Sequence, residues 1–201
     1  MSFTLQPSRV SDVLVDVREE TMASIEEYAR IPSAFRVDRI LRVRADAAVP
    51  AQWSLSEEPH AAPFLKNYDA IPGNHPMDWQ RQFDTAGWRL FSAFVSEHRV
   101  GGAIVIPPTT VSRPAAAKIS ELLDLRVHAG WRRRGIASAL WRHVESVVTT
   151  PLLRAETQNV NVAACAFYSA QGCTLLLVEP FAYPMLPDEV RLVWQKAVLH
   201  T

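Results

Sequence analysis

A mixed α/β architecture, one sheet layered with helices, is the fold class this sequence predicts, and three observations carry the prediction. Strand-like runs with period-two or continuous apolar patterning recur from residue 34 to the C-terminus. A segment with a helical apolar stripe follows directly on one of those strands. The last part of the chain then orders its elements strand, helix, strand, helix, strand, strand, which is the order of a sheet with helices laid on it. The 201 residues, 48% of them hydrophobic, bury a core without disulfide or metal staples. No composition shift divides the chain, so residues 1–201 are expected to form a single domain.

The elements are expected in this order. Residues 12–30 (DVLVDVREETMASIEEYAR) combine helical spacing with acidic residues, and Pro32 ends the segment. The stretch AFRVDRILRVRAD sets Phe35, Val37, Leu41 and Val43 against Arg36, Asp38, Arg42 and Arg44, the alternation of a half-exposed strand. Residues 45–76 contain Pro50, Pro59, Pro63, Pro72 and Pro76 and are expected to be irregular. WRLFSAFV and VGGAIVIPP form a hairpin around the polar turn SEHR. PPTTVSRPAAA is a loop and KISELLDLRV the next strand. A helix follows from about Ile136 to Val148, with Ile136, Leu140, Val144 and Val147 on its apolar face. Pro151 leads into the strand LLRAETQ, and a short helix comes next, with Asn161 as N-cap and Gly172 closing it. CTLLLVE and VRLVWQKAV are the last strands, joined by the loop PFAYPMLPDE.

Lys+Arg and Asp+Glu both number 21, so the balance of charge points to neither nucleic acid nor a membrane surface. No apolar run approaches the ~18 residues of a membrane-spanning helix. The start MSFTLQPSRV lacks the features of a secretory signal, so a cytoplasmic location is expected. Cys165 and Cys173 show no metal spacing and read as buried thiols in a reducing compartment; no metal is expected.

The local concentration of charge is Arg132-Arg133-Arg134, set before Gly135 where a loop becomes a helix. Cations at a helix N-terminus oppose the helix dipole, so the arrangement makes sense with an anion seated on it. The backbone N–H groups of such a loop form a phosphate cradle, Gly135 permits close approach, and arginines add charge-assisted contacts. A solvated surface turn is the plain alternative. Neither a Walker loop nor a dinucleotide fingerprint is present. Downstream, Asn161 and Tyr168 lie seven residues apart and look the same way if both sit on one helix.

These residues carry a resemblance. VHAGWRRRGIASAL is similar to the acetyl-CoA signature [QR]-x-x-G-x-[GA] of the GNAT N-acetyltransferases, with Arg132, Gly135 and Ala137 at its positions. ETQNVNVAACAFYSAQGC resembles that superfamily's following strand and helix, and together with PFAYPMLPDEVRLVWQK it is most similar to the streptothricin acetyltransferases. The resemblance spans about residues 118–198. It leaves residues 1–85 as a divergent N-terminal part before a core of 86–198. It implies a central, mostly antiparallel twisted sheet flanked by helices, with an irregular N-terminal extension.

It also implies acetyl-CoA as co-substrate. The pyrophosphate would lie on Arg132, Arg133, Arg134, Gly135, Ile136, Ala137 and Ser138, with Asn161 nearby. Leu125, Arg126 and Val127 would pair with the pantetheine arm like an added strand. Acetyl transfer to an amine then needs a base, for which Glu156 and Asp124 are the candidates; each could instead be an arginine's partner. Tyr168 is the candidate acid toward the departing thiolate, and a backbone N–H near Val127 the oxyanion donor. Direct attack needs no cysteine, and His128 reads as a solvated loop residue.

Strand periodicity puts Glu156 on one face with Arg154 and Gln158, and Asp124 with Leu122 and Arg126; a bulge in the latter strand would change its parity. The N-terminal third and the loop PFAYPMLPDE would wall the acceptor, with Tyr183 and Trp194 as aromatic surfaces or, for Trp194, plain core. The acceptor implied is a small-molecule amine such as streptothricin. A protein N-terminus or lysine is the alternative, and a non-catalytic acyl-CoA-binding module a third. A homodimer is left open.

Overall fold

The computed structural model describes residues 14–45, 53–108 and 118–198. A seven-stranded sheet runs in the order β1-β4-β5-β6-β7-β9-β8. Its members are β1 (Asp16–Glu20), β4 (Arg89–Val95), β5 (His98–Ile106), β6 (Ile119–Val127), β7 (Leu152–Gln158), β8 (Thr174–Glu179) and β9 (Arg191–Ala197). Every pairing is antiparallel except β6 with β7. A separate ribbon pairs β2 (Phe35–Ala45) with β3 (Trp53–Lys66). The helices are α1 (Ile25–Ala29), α2 (Pro76–Gln82), α3 (Ile136–Val147) and α4 (Val162–Ala170). No helix among the described residues is long and apolar enough to cross a membrane.

The expected hairpin, the strand after it and the strand–helix–strand–helix–strand–strand order are all found. The hairpin turns on Ser96 and Glu97, both at positive φ, the two-residue geometry whose twist matches its strands. Asn161 Oδ1 accepts the Ala164 N–H at 3.2 Å and caps α4, and Gly172 closes the helix at φ +81°.

Two expectations fail upstream. The segment expected as a helix over 12–30, of which 12 and 13 lie outside the described residues, is a strand and then a short helix. Ion pairs across the sheet account for the strand. Arg18 binds Glu97, Arg89 grips Glu19 with two donors, and Arg99 grips Glu20. The acidic run that reads as a helix start is therefore spent on neighbouring strands.

The segment expected to be irregular over 45–76 holds the fourteen-residue β3, although 46–52 lie outside the described residues. Its prolines do no harm, because the ribbon has one ladder and β3's outer edge needs no donors. Pro63 falls in the register break between Val37 and Arg39. Arg39 with Glu57 and Arg42 with Glu58 tie the strands together. Within the same stretch, Pro76 occupies the first turn of α2 and His75 caps it.

The two faces of the main sheet are packed separately. On one, α3 buries Ile136, Leu140, Trp141 and Val144 against Phe91, Ala103, Val105 and Leu122. On the other, Ile25, Tyr28 and Trp79 close over Leu90 and Ile104. Two neighbouring glycines in β5 serve the two faces. A Cβ on Gly101 would stand 3.0 Å from Ile136, and one on Gly102 would stand 2.6 Å from the Tyr28 ring.

Candidate active site

The parallel pair creates the opening. β6 and β7 are paired only from Ile119↔Leu152 to Leu122↔Ala155, yet β6 continues to Val127 and β7 to Gln158. Beyond Leu122 the strands part, at their C-terminal ends, where α/β sheets place ligands. The register break in β6 falls at the same point: Ile104 pairs with Asp124, and Val105 with Leu122, so Leu123 is the extra residue. The bulge puts Leu122 in the α3-side core and turns Asp124 to the Tyr28 side. Asp124 therefore shares a face with Arg126 but not with Leu122, which corrects the strand-parity expectation.

The freed edge of β6 has usable groups. The His128 N–H donates to Val100 O at 2.8 Å on the β5 side. Antiparallel alternation then turns the N–H groups of Leu125 and Val127 away from β5, toward the gap. Arg126, between them, is committed to β5 by its backbone and to Asp124 by its side chain, Nε to Oδ2 at 2.6 Å. Arg126 thus offers an extended ligand neither group.

Next to this edge, α3 begins without a cap. Gly135 holds φ +80°, no side chain caps it, and the first turn has no acidic residue. The first helical bond, Ala139 N–H to Gly135 O at 2.9 Å, leaves the N–H groups of Gly135, Ile136, Ala137 and Ser138 without intrahelical acceptors. Arg133 is also left-handed, at φ +63°.

The three arginines divide. Arg132 turns inward, donating to Val127 O at 3.0 Å and Ala34 O at 2.8 Å, and so braces the loop against β6. Arg133 and Arg134 are exposed, and among the described residues neither has a carboxylate within ion-pair distance. Arg134 lies over the Trp131 ring at 5.1 Å. Uncapped N–H groups beside two unpaired cations suit an anion with several oxygens.

The remaining residues lie around the gap. Tyr168 sits on α4 with its ring against Trp141, 5.5 Å between centroids, and its hydroxyl has no hydrogen-bond partner among the described residues. Burial first, then the Asp124 carboxylate, raise its phenol above the ordinary value, so it holds its proton at neutral pH. Asp124 accepts from Tyr28 Oη at 2.7 Å and from Arg126, both on Oδ2. Glu156 on β7 accepts from Tyr183 Oη at 2.7 Å and lies 3.7 Å from Arg191. Burial, then the Glu156 hydrogen bond, raise the Tyr183 phenol in turn.

Trp194 is not a ligand surface. It is buried and donates to Thr157 Oγ1 at 2.9 Å, a core position. His128 is exposed. Burial pushes both cysteine thiols up to about 11, so neither supplies a thiolate near neutral pH. Among the described residues no group of His, Cys, Asp and Glu could hold a metal ion.

Several residues packed near the gap carry no sequence signal. Tyr28 comes from α1, Asp69 from the turn after β3, and Lys66 and Glu189 form a buried ion pair between the end of β3 and the loop before β9. Lys66 also lies 5.0 Å from the Tyr68 ring. A cavity of about 250 Å³, lined by Glu27, Arg30, Ile31, Arg99 and His128, opens at the end of β6 on the α1 side.

Comparison with known proteins accords with this geometry. No curated protein matches the sequence. In structure the chain is similar to a nourseothricin acetyltransferase, with TM-score 0.71 and 19% identity over 92% of this chain and 99% of that one. A Bacillus anthracis protein assigned as a streptothricin acetyltransferase, solved in complex with acetyl coenzyme A, gives 0.70 and 18% over 93% and 99%. The Escherichia coli ribosomal-protein-S18-alanine N-acetyltransferase gives 0.58 and 13% over 94% and 96%. The family model of the acetyltransferase (GNAT) family matches residues 51–173, more than half of the sequence. The chain belongs to the GNAT acetyltransferase family, and the uncapped start of α3 and the free edge of β6 fit its acetyl donor, acetyl-CoA.

Proposed function

We propose that the protein transfers an acetyl group directly from acetyl-CoA to a primary amine of a small molecule, and that it works in the cytoplasm. The observation that carries the small-molecule reading is the buried Lys66–Glu189 ion pair. It ties the end of the ribbon to the loop of residues 180–189, and in this reading that tie narrows the acceptor side of the gap, where a peptide would need an open groove. The cavity at the end of β6, lined by Glu27, Arg30, Ile31, Arg99 and His128, offers room on the α1 side for part of a compact molecule. The likeness to nourseothricin and streptothricin acetyltransferases supports an aminated antibiotic of that kind as the acceptor.

In this reading the phosphates of acetyl-CoA rest on the N–H groups of residues 133–138, supplemented by Arg133 and Arg134. The pantetheine arm lies along Leu125 and Val127, near Asn161. An alkyl amine of pKa ~10 arrives protonated and must lose a proton before it can attack. Asp124 holds the amine through Oδ1, the oxygen that Tyr28 and Arg126 leave free. Glu156, with Oε1 steadied by Tyr183, takes the proton directly or through a water. The Val127 N–H receives the carbonyl oxygen as charge develops on it.

Tyr168 acts as a hydrogen-bond donor to the departing sulfur rather than as a full acid. As the C–S bond breaks, the thiolate takes up the second proton, the one the nitrogen sheds when the tetrahedral intermediate collapses to the amide. The raised Tyr168 phenol gives up a proton less readily than a thiol of pKa ~8.5, so complete transfer would run uphill, while a hydrogen bond to the developing thiolate would not. The test is thiol release from acetyl-CoA with nourseothricin, aminoglycosides and alanine-starting peptides as acceptors. Turnover with an aminated antibiotic and none with peptides is expected. The opposite preference would contradict the closed-acceptor reading.

A further inference from the structure

Tyr28, in the segment where the sequence carries no motif, reaches the strand that faces the acetyl donor. Its ring is fully buried, and β5 admits it because residue 102 is glycine: a Cβ there would stand 2.6 Å from the ring. A phenylalanine would fill that space without a hydroxyl to satisfy, and a buried hydroxyl is costly unless it is bonded. Here it donates to Asp124 Oδ2 at 2.7 Å.

Arg126 Nε donates to the same oxygen at 2.6 Å. Its guanidinium lies 5.1 Å from the Tyr28 ring, and Nη1 goes on to Ile31 O at 2.9 Å and Asp69 at 3.2 Å. Asp69 is held in turn by the Ser33 N–H at 3.0 Å. Both donors therefore meet Asp124 from one side. Oδ1 has no hydrogen-bond partner among the described residues, on a side chain 20% exposed. The carboxylate is thus held through Oδ2 while Oδ1 stays available.

We propose that Tyr28 is a positioning residue: by fixing Oδ2 it aims Asp124 Oδ1 into the gap as the seat of the acceptor's amine. The inference rests on the role given to Asp124 above. It also gives the divergent N-terminal part a task in the reaction, delivered through Arg126 and Asp69 as well as Tyr28.

The test is Tyr28→Phe, which keeps the ring and removes the hydroxyl. With nourseothricin as acceptor, KM for the acceptor should rise about tenfold, the loss of one hydrogen bond to a charged group. KM for acetyl-CoA should stay near the wild-type value, while the melting temperature falls by the few degrees that one buried hydrogen bond contributes. Added to Asp124→Asn, the same change should have no further effect on the acceptor KM. An unchanged acceptor KM in Tyr28→Phe, or a full additional loss in the double variant, would overturn the proposal. Should Tyr28→Phe not fold, 3-fluorotyrosine at position 28, which keeps the ring and shifts the acidity of the hydroxyl, carries the test: a changed acceptor KM supports the proposal and an unchanged one overturns it.

If the wild-type protein acetylates neither nourseothricin nor an alanine-starting tetrapeptide, the reading of the acceptor fails by itself. Tyr28 is then judged from a crystal structure of Tyr28→Phe. An Asp124 carboxylate turned out of its wild-type orientation supports the positioning role, and an unmoved one overturns it.

Discussion

The gap between β6 and β7 has two walls built on opposite terms. On the α3 wall the groups available are backbone N–H donors and two arginines that no carboxylate among the described residues neutralises. On the acceptor wall nearly every charge is already paired: Arg126 with Asp124 and Asp69, Lys66 with Glu189, Arg191 with Glu179. Under the proposed function the difference has a physical reading. A wall that receives a polyanion would leave positive groups unpaired for it. A wall that holds one amine in one orientation would keep its carboxylates in fixed positions and expose selected oxygens.

The largest effect should come from breaking the acceptor wall's buried pair. Lys66→Met strands the Glu189 carboxylate and is expected to lower stability by about 3–5 kcal/mol, with Lys66→Met/Glu189→Leu recovering most of it. Urea denaturation measures both. Arg133→Ala on the other wall should cost almost no stability, because that cation is exposed and has no ion-pair partner among the described residues. Equal losses at the two positions would erase the contrast.

Tyr168 stands between the walls. Tyr168→Phe should lower kcat by on the order of 10²-fold with KM for acetyl-CoA little changed, the signature of a contact made as the sulfur departs. A fall below about threefold would make Tyr168 a packing residue against Trp141.

A smaller effect is expected at Gly135. Valine there must adopt φ near +80°, at about 1–2 kcal/mol, so CoA affinity measured by calorimetry should drop by about tenfold while the fold survives. Unimpaired affinity would place the phosphates elsewhere.

The same contrast explains what the sequence could and could not tell. The α3 wall is local: strand, loop and helix N-terminus lie within about a dozen residues, so a short pattern such as Arg132, Gly135, Ala137 exposes it. Even there the pattern does not distinguish the arginines. Arg132 proves to be a brace because Val127 O and Ala34 O, the latter 98 residues away, take its donors. The acceptor wall is assembled across long separations: Tyr28 and Asp124 are 96 positions apart, Lys66 and Glu189 123.

The strand β1 and the ribbon strand β3 were illegible for the same reason. Their residues look like an acidic helix and a proline-rich loop until the arginines opposite them are known. The bulge at Leu123 changed the parity of Asp124, and period-two reasoning cannot see a bulge from one strand alone.

In the proposed mechanism the two carboxylates share the work, Glu156 removing the proton and Asp124 seating the amine. The direct measurement is the pH–rate profile of Glu156→Gln beside that of Asp124→Asn, on the acceptor that thiol release identifies. Glu156→Gln should lose most activity near neutral pH, by about 10²–10⁴-fold, and recover as alkaline pH deprotonates the amine without help. Asp124→Asn should show a smaller loss that is flat with pH and lies mainly in acceptor KM. The reverse, a pH-dependent defect in Asp124→Asn and a flat one in Glu156→Gln, would contradict the assignment.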